Sequence, residues 1–111
     1  MLPRTLTGKA LRHLRALGHG LDPVVAVGKA GVTAAVTKET QAALDKHELV
    51  KVRVMREAPE DRKATAEDLA HKTGAVLAQV LGRTFLLYRR HPKKPKIVLP
   101  KAGESPPSED A

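Results

Sequence analysis

A chain of 111 residues has room for one hydrophobic core, and with 41% apolar residues but only Phe85 and Tyr88 as aromatics that core must be built from Leu, Val and Ala, leaving few flat rings for stacking bases. The absence of cysteine excludes disulfides, thiolate nucleophiles and cysteine-ligated zinc. The net charge of +8 is uneven, since residues 101–111 set Lys101 against Glu104, Glu109 and Asp110 for a net −2, which leaves +10 on the first hundred residues, a balance that suits a polyanion such as nucleic acid and equally plain solubility.

In chain order, Thr7–Leu17 is a predicted helix, with Leu11, Leu14 and Leu17 on one face and Lys9, Arg12, His13 and Arg15 elsewhere. Thr7 is its expected N-cap, and Gly18 is expected to close it in the left-handed conformation. After Asp22-Pro23, the continuous apolar run Val24–Val27 predicts a short strand covered on both faces. The turn Gly28-Lys29-Ala30-Gly31 follows, and Thr33 caps a second helix to about His47 along an inner stripe of Val36, Thr40, Ala43, Leu44 and His47. Leu49–Met55 alternates Val50, Val52 and Val54 with Lys51 and Arg53, predicting a strand with one core face and one basic face.

Pro59 is expected near the first position of a third helix, with Glu60 and Asp61 in its first turn, Ala66, Leu69, Ala70 and Thr73 as its apolar stripe and Gly74 as its C-cap. Ala78–Leu81 and Thr84–Arg89 form a predicted hairpin around the two-residue loop Gly82-Arg83. Residues 91–100 are a basic, Pro/Lys-rich extension in which Ile97-Val98-Leu99 can make a short edge contact. Residues 101–111 form an acidic tail, expected to be disordered. The order α-β-α-β-α-β-β predicts a compact α/β sandwich with a four-stranded mixed sheet, in which two βαβ units give parallel pairs and the hairpin adds an antiparallel one.

The turn at Gly28–Gly31 is the main candidate site. Two glycines allow close backbone approach, the helix start behind them presents free N–H groups, and Lys29 adds a cation, a combination that suits a nucleic-acid phosphate as the GXXG loop of KH domains does. The alternative is a strand-to-helix turn whose glycines serve their dihedrals only. If the first reading holds, an Asp at Gly31 should weaken binding and leave the melting curve largely intact. Lys9, Arg12 and Arg15, the strand pair Lys51 and Arg53, and Arg89, Arg90, Lys93, Lys94 and Lys96 on a flexible extension are further candidate contacts, each balanced against ordinary surface solvation. Arg83 is expected to be solvated turn chemistry, and Tyr88 half core and half surface, with stacking as one use.

The histidines at 13, 19, 47, 71 and 91 show no metal-ligand spacing, His47 reads as a packed residue, and the serines Ser105 and Ser108 both lie in the tail. No carboxylate pair is placed for acid–base work, so no enzyme, metal, cofactor or small-molecule substrate is expected. No stretch approaches the roughly 18 apolar residues of a membrane span and no signal peptide is evident, which leads to the expectation of a cytoplasmic protein.

The run Val27-Gly28-Lys29-Ala30-Gly31-Val32-Thr33 resembles the GxxG segment of CRM domains, the chloroplast RNA splicing and ribosome maturation module, whose single-domain bacterial form is YhbY-like. The likeness continues in order through His47–Val52, Thr73-Gly74-Ala75, Gln79–Thr84 into Leu87–Arg90, and Ile97–Pro100, covering roughly Leu6 to Pro100. It implies a fold like the C-terminal domain of translation initiation factor three, a module with no known catalytic activity, and association with precursors of the large ribosomal subunit through rRNA; the chain is expected to act as a monomer. Gly28, Lys29 and Gly31 carry over directly. An Asn is frequent in the family at Ala30, so a polar contact from that side chain would be missing here. A different class of function, a protein-binding adaptor docked on a ribosomal protein with only incidental rRNA contact, stays open at this point.

Overall fold

The computed structural model describes residues 6–99; the acidic tail lies outside them. Seven elements follow in the order α1 (Gly8–Gly18), β1 (Val25–Val27), α2 (Ala34–His47), β2 (Leu49–Val54), α3 (Arg62–Thr73), β3 (Val76–Leu81) and β4 (Thr84–Tyr88). Each helix starts at a short polar side chain that takes an otherwise free N–H. Ala10 N donates to Thr7 Oγ1 at 3.1 Å, Val36 N to Thr33 Oγ1 at 3.1 Å and Ala64 N to Asp61 Oδ1 at 2.7 Å. The third cap corrects the expected start of α3: Pro59 and Glu60 precede the helix, and Asp61 is its cap rather than a first-turn residue. Gly74 ends α3 in the left-handed conformation, as its position predicted.

The sheet is four-stranded and mixed, in the order β1-β2-β4-β3. β1 and β2 are parallel, whereas β4 is antiparallel to both of its neighbours. The second parallel pair expected from the βαβ order therefore does not form, because β4 lies between β2 and β3. The reason lies in β4 itself: Phe85, Leu86, Leu87 and Tyr88 are all buried, so this strand is apolar on both faces and only a central position covers both. β3, with Gln79 half-buried and Leu81 exposed, suits an edge, and its ladder is irregular between Leu77 and Gln79. The hairpin turns on Gly82, whose φ of 59° is one that L side chains rarely adopt.

Two helices cover one face of the sheet and one covers the other. Val25, Val27, Val50, Val52, Val54, Phe85 and Leu87 meet Leu44 of α2 and Ala66, Leu69 and Ala70 of α3 in the larger core. Leu49, Ala78, Leu86 and Tyr88 meet Leu14 of α1, with Ile97 and Leu99 packed against the same cluster. α1 lies mainly across β2, β4 and β3. The expectation that β1 is covered on both faces is accordingly wrong: it is an edge strand with Ala26 exposed between two buried valines.

Gly18 also departs from its expected role. It is the last residue of α1, with ordinary helical backbone, and His19 caps the helix. Its missing side chain is needed elsewhere, since a Cβ there would sit 2.3 Å from Leu86 Cδ1. Leu86 is 2% exposed and has little room to yield. Gly18→Ala is therefore expected to destabilise the fold by about 1–3 kcal/mol through overpacking, despite alanine's higher helix propensity. A urea titration with an unchanged m-value would measure it.

Candidate functional site

The Gly28–Gly31 turn stands at the C-terminal end of β1, closed by Gly31 N donating to Gly28 O at 2.9 Å. Lys29 and Ala30 are exposed at its corners, Gly28 is half-buried and Gly31 is buried. The two glycines serve different purposes. Gly31 has a φ of 74°, and a Cβ on it would lie 3.1 Å from Pro59 Cγ, so the fold itself requires glycine there. Gly28 has no left-handed φ, and a Cβ on it would meet nothing within 4 Å. Its bare backbone answers to no contact among the described residues and leaves the approach from solvent open. The turn feeds α2, where Thr33 takes one of the first N–H groups and the exposed Ala34 and Ala35 begin the helix. The Gly31→Asp test is overturned by this geometry, because a side chain at Gly31 strains the turn before any ligand is considered.

Two further loops meet the turn at the same rim. Met55 N donates to Val27 O at 2.8 Å and Val54 N to Arg83 O at 2.7 Å, which ties the end of β2 to the turn on one side and to the β3–β4 hairpin on the other. This brings exposed Arg56, Arg62, Lys63 and Arg83 to the rim that carries Lys29. Sequence reasoning passed over the first three and read Arg83 as a solvated turn residue. The available signal was topological: parallel β1 and β2 must end on the same side, so the loops behind them meet.

The other candidates are dispersed. On α1, Arg12 and Arg15 are exposed and Lys9 is half-buried, with Arg15 Nε donating to Ala78 O at 3.0 Å. Arg53 is exposed on the uncovered corner of the α1 face between Ala26 and Thr84, and Lys51 is half-buried beside Leu86. Arg89 is committed to the fold: its guanidinium donates to Thr73 O at 2.7 Å, to the Gln41 side chain, and to Asp45 Oδ1 at 2.5 Å. These partners lie in the second half of α2 and at the C-terminal end of α3. Gln41 and Asp45 place Arg89 roughly 10–17 Å along α2 from its first residue Ala34, at about 1.5 Å per residue.

The basic extension is not the flexible arm expected. Buried Glu48 binds it through three backbone donors, His91 N to Oε2 at 2.7 Å, Lys96 N to Oε1 at 2.6 Å and Ile97 N to Oε1 at 2.7 Å. Lys96 Nζ donates to Lys46 O at 2.9 Å, while Arg90, Lys93 and Lys94 keep exposed, unpaired side chains among the described residues. Burial raises the Glu48 pKa, but the N–H donors from His91, Ile97 and Lys96 outweigh it and hold the carboxyl below its ordinary value. Tyr88 is buried rather than half-exposed and is not available for stacking; burial, then the Glu48 charge, pushes its phenol up. His47, placed on the inner stripe, is exposed because α2 ends there and the chain turns away. No group of three His, Asp or Glu able to hold a metal occurs among the described residues.

A family model described as the CRS1 / YhbY (CRM) domain matches residues 6–89. Probable RNA-binding protein YqeI of Bacillus subtilis is 39% identical over 95 residues, covering 86% of this chain and 99% of the relative. An RNA-binding protein of Haemophilus influenzae is 36% identical over 97 residues, covering 87% and 97% respectively. The solution structure of SAV1595 from Staphylococcus aureus matches with a TM-score of 0.74 at 38% identity, covering 86% of this chain and all of that one.

The contrast between the glycines predicts that Gly31→Ala destabilises by about 1–2 kcal/mol, the usual cost of a left-handed φ with a Cβ, while Gly28→Ala leaves the thermal midpoint unchanged or slightly raised. Differential scanning calorimetry of the two variants distinguishes them. Because the Glu48 pKa is lower folded than unfolded, its contribution to stability is present above the ordinary value of 4.5 and is lost as pH falls through the folded value. Glu48→Gln is expected to flatten that acid limb and to cost about 2–3 kcal/mol at neutral pH, since an amide opposes one backbone donor with another. Urea melts at pH 3 to 7 read both effects.

Proposed function

Given that the chain belongs to the CRS1 / YhbY (CRM) domain family, we propose that it binds RNA with the Gly28–Gly31 turn against the sugar-phosphate backbone. The observation that carries the reading is Gly28, a glycine whose Cβ the fold would accommodate and whose absence leaves backbone open beside Lys29 and the start of α2. A phosphate oxygen can approach bare backbone N–H groups more closely than any position shielded by a Cβ, and a helix start favours negative charge there. The relatives' names, RNA-binding proteins of Bacillus subtilis and Haemophilus influenzae, support the same class of ligand.

The binding mode is backbone and shape recognition rather than base stacking. Phe85 and Tyr88, the only aromatics in the chain, are both buried in the core. The finer reading is that the RNA is structured large-subunit rRNA, met on the assembling subunit as the resemblance of its motifs implies, by a protein read as a cytoplasmic monomer. Exposed Lys29, Arg12, Arg53, Arg90, Lys93 and Lys94 supply long-range attraction.

Affinity for a structured large-subunit rRNA fragment should fall with salt at a log–log slope of roughly −4 to −5 if about six phosphates are neutralised. Gly28→Asp should weaken binding about tenfold or more, the loss of one charge-assisted phosphate contact with a repulsive carboxylate in its place, and leave the melting curve unchanged. A slope near zero in filter binding would remove the backbone mode. Failure to bind naked precursor rRNA, with binding restored by a ribosomal protein, would instead favour a protein-docking adaptor.

A further inference from the structure

Next to the Gly28–Gly31 turn lies a cavity of about 530 Å³ walled by three separate segments. The loop behind β2 contributes Arg56, the first turn of α3 contributes Arg62 and Lys63, and the hairpin tip contributes Arg83. Glu60 and Asp61 also line it, leaving the wall with four positive and two negative groups. Asp61 Oδ1 is already engaged by Ala64 N. None of the four cations forms an ion pair, since the pairs among the described residues are Lys72 with Asp68 and Arg89 with Asp45. Glu60 and Asp61 offset part of this charge without pairing to it, and the wall keeps an excess of two positive groups whose mutual repulsion an anion would relieve.

The cavity is built on the same braces as the turn. Arg83 is fixed at the rim through its backbone oxygen, which accepts from Val54 N at 2.7 Å, and Ala58 N donates to Met55 O at 3.1 Å to close the loop behind β2. Pro59, part of the cavity wall, is also the residue against which Gly31 packs. Turn and cavity therefore share Pro59 as a common neighbour and lie side by side.

We infer that this cavity is a second phosphate-binding site, holding a phosphodiester of the same RNA strand next to the one on Gly28–Gly31. Arg56 and Arg83 offer planar, multiply donating guanidinium groups from two separate segments of the lining, the side-chain chemistry that suits phosphate oxygens. Arg62 and Lys63 add charge at the start of α3. The inference rests on the RNA-binding reading and extends it to residues outside the GxxG motif.

The test uses the full chain and a fluorescently labelled stem-loop of large-subunit rRNA sequence, with affinity measured across a salt series. Arg56→Gln combined with Arg83→Gln is compared with Lys46→Gln combined with Lys72→Gln, which removes the same charge from exposed positions at the C-terminal ends of α2 and α3. The cavity variant is expected to lose about tenfold or more in affinity and to lower the salt slope by about one to two, the contribution of one or two phosphates. All four side chains are exposed, so the melting curve should not move. A second readout, amide shifts of the unmodified protein during RNA titration, should show Lys63 and Arg83 moving together with Lys29. If Gly28→Asp abolishes binding while the cavity variant matches the Lys46/Lys72 control and the Lys63 and Arg83 amides stay still, the second site is overturned and the turn survives. If the unaltered chain fails to bind the stem-loop at low salt, both fall together.

Discussion

Glu48 is the one residue between α2 and β2, and the architecture at that end of the molecule turns on it. Its φ of 63° reverses the chain without a loop, at a backbone geometry that glycine would adopt more readily. Glutamate holds the position because its carboxylate, 1% exposed, collects backbone donors from His91, Lys96 and Ile97. Its backbone is used as well, with N donating to Leu44 O and O accepting from Arg89 N. Arg89 is the complementary brace, carrying positive charge to the Thr73 carbonyl at the end of α3, where the helix dipole favours it, and to Gln41 and Asp45 in the second half of α2.

The molecule thus has two ends with opposite economies of charge. Where the helices finish, Glu48, Arg89 and Lys96 satisfy one another's surroundings, and much of the ionic capacity is absorbed in holding the fold. Where the helices begin, caps are provided by Thr33 and Asp61, while Lys29, Arg56, Arg62, Lys63 and Arg83 carry no ion pair among the described residues. Clefts outside the carboxyl ends of parallel strands are common ligand positions because helix starts and flexible connections gather there. β1 and β2, the one parallel pair in this sheet, create such a place beside the glycine turn.

What could be read from the sequence was what is encoded locally. Thr7 and Thr33 are caps by residue type, Val50–Val54 alternates, and Gly74 ends a periodic stretch, so these elements stand where periodicity placed them. The roles that depend on distant partners could not be read. Gly18 looks like a helix terminator until Leu86 is laid against it, and Arg89 looks like a free cation until Asp45 and Thr73 arrive from other elements. The insertion of β4 between β2 and β3 is of the same kind, decided by which strand can be buried on both faces rather than by chain order. The candidate site was half legible: its glycine turn is a contiguous motif, but its neighbouring cations are separated by more than fifty residues between Lys29 and Arg83 and converge only through the fold.

The rims of the sheet carry a further consequence. An open sheet ends in two rows of unpaired N–H and C=O groups, to which a strand of another chain can add if the rows are long and flat. Here one rim, β1, is three residues long and follows Pro23, which has no N–H to offer. The other, β3, is broken in register between Leu77 and Gln79, so a straight incoming strand cannot keep step along it. Exposed Val24 and Leu81 consequently lie on borders too short or too irregular to template intermolecular β-pairing, and the sheet can stay open-edged without recruiting copies of itself.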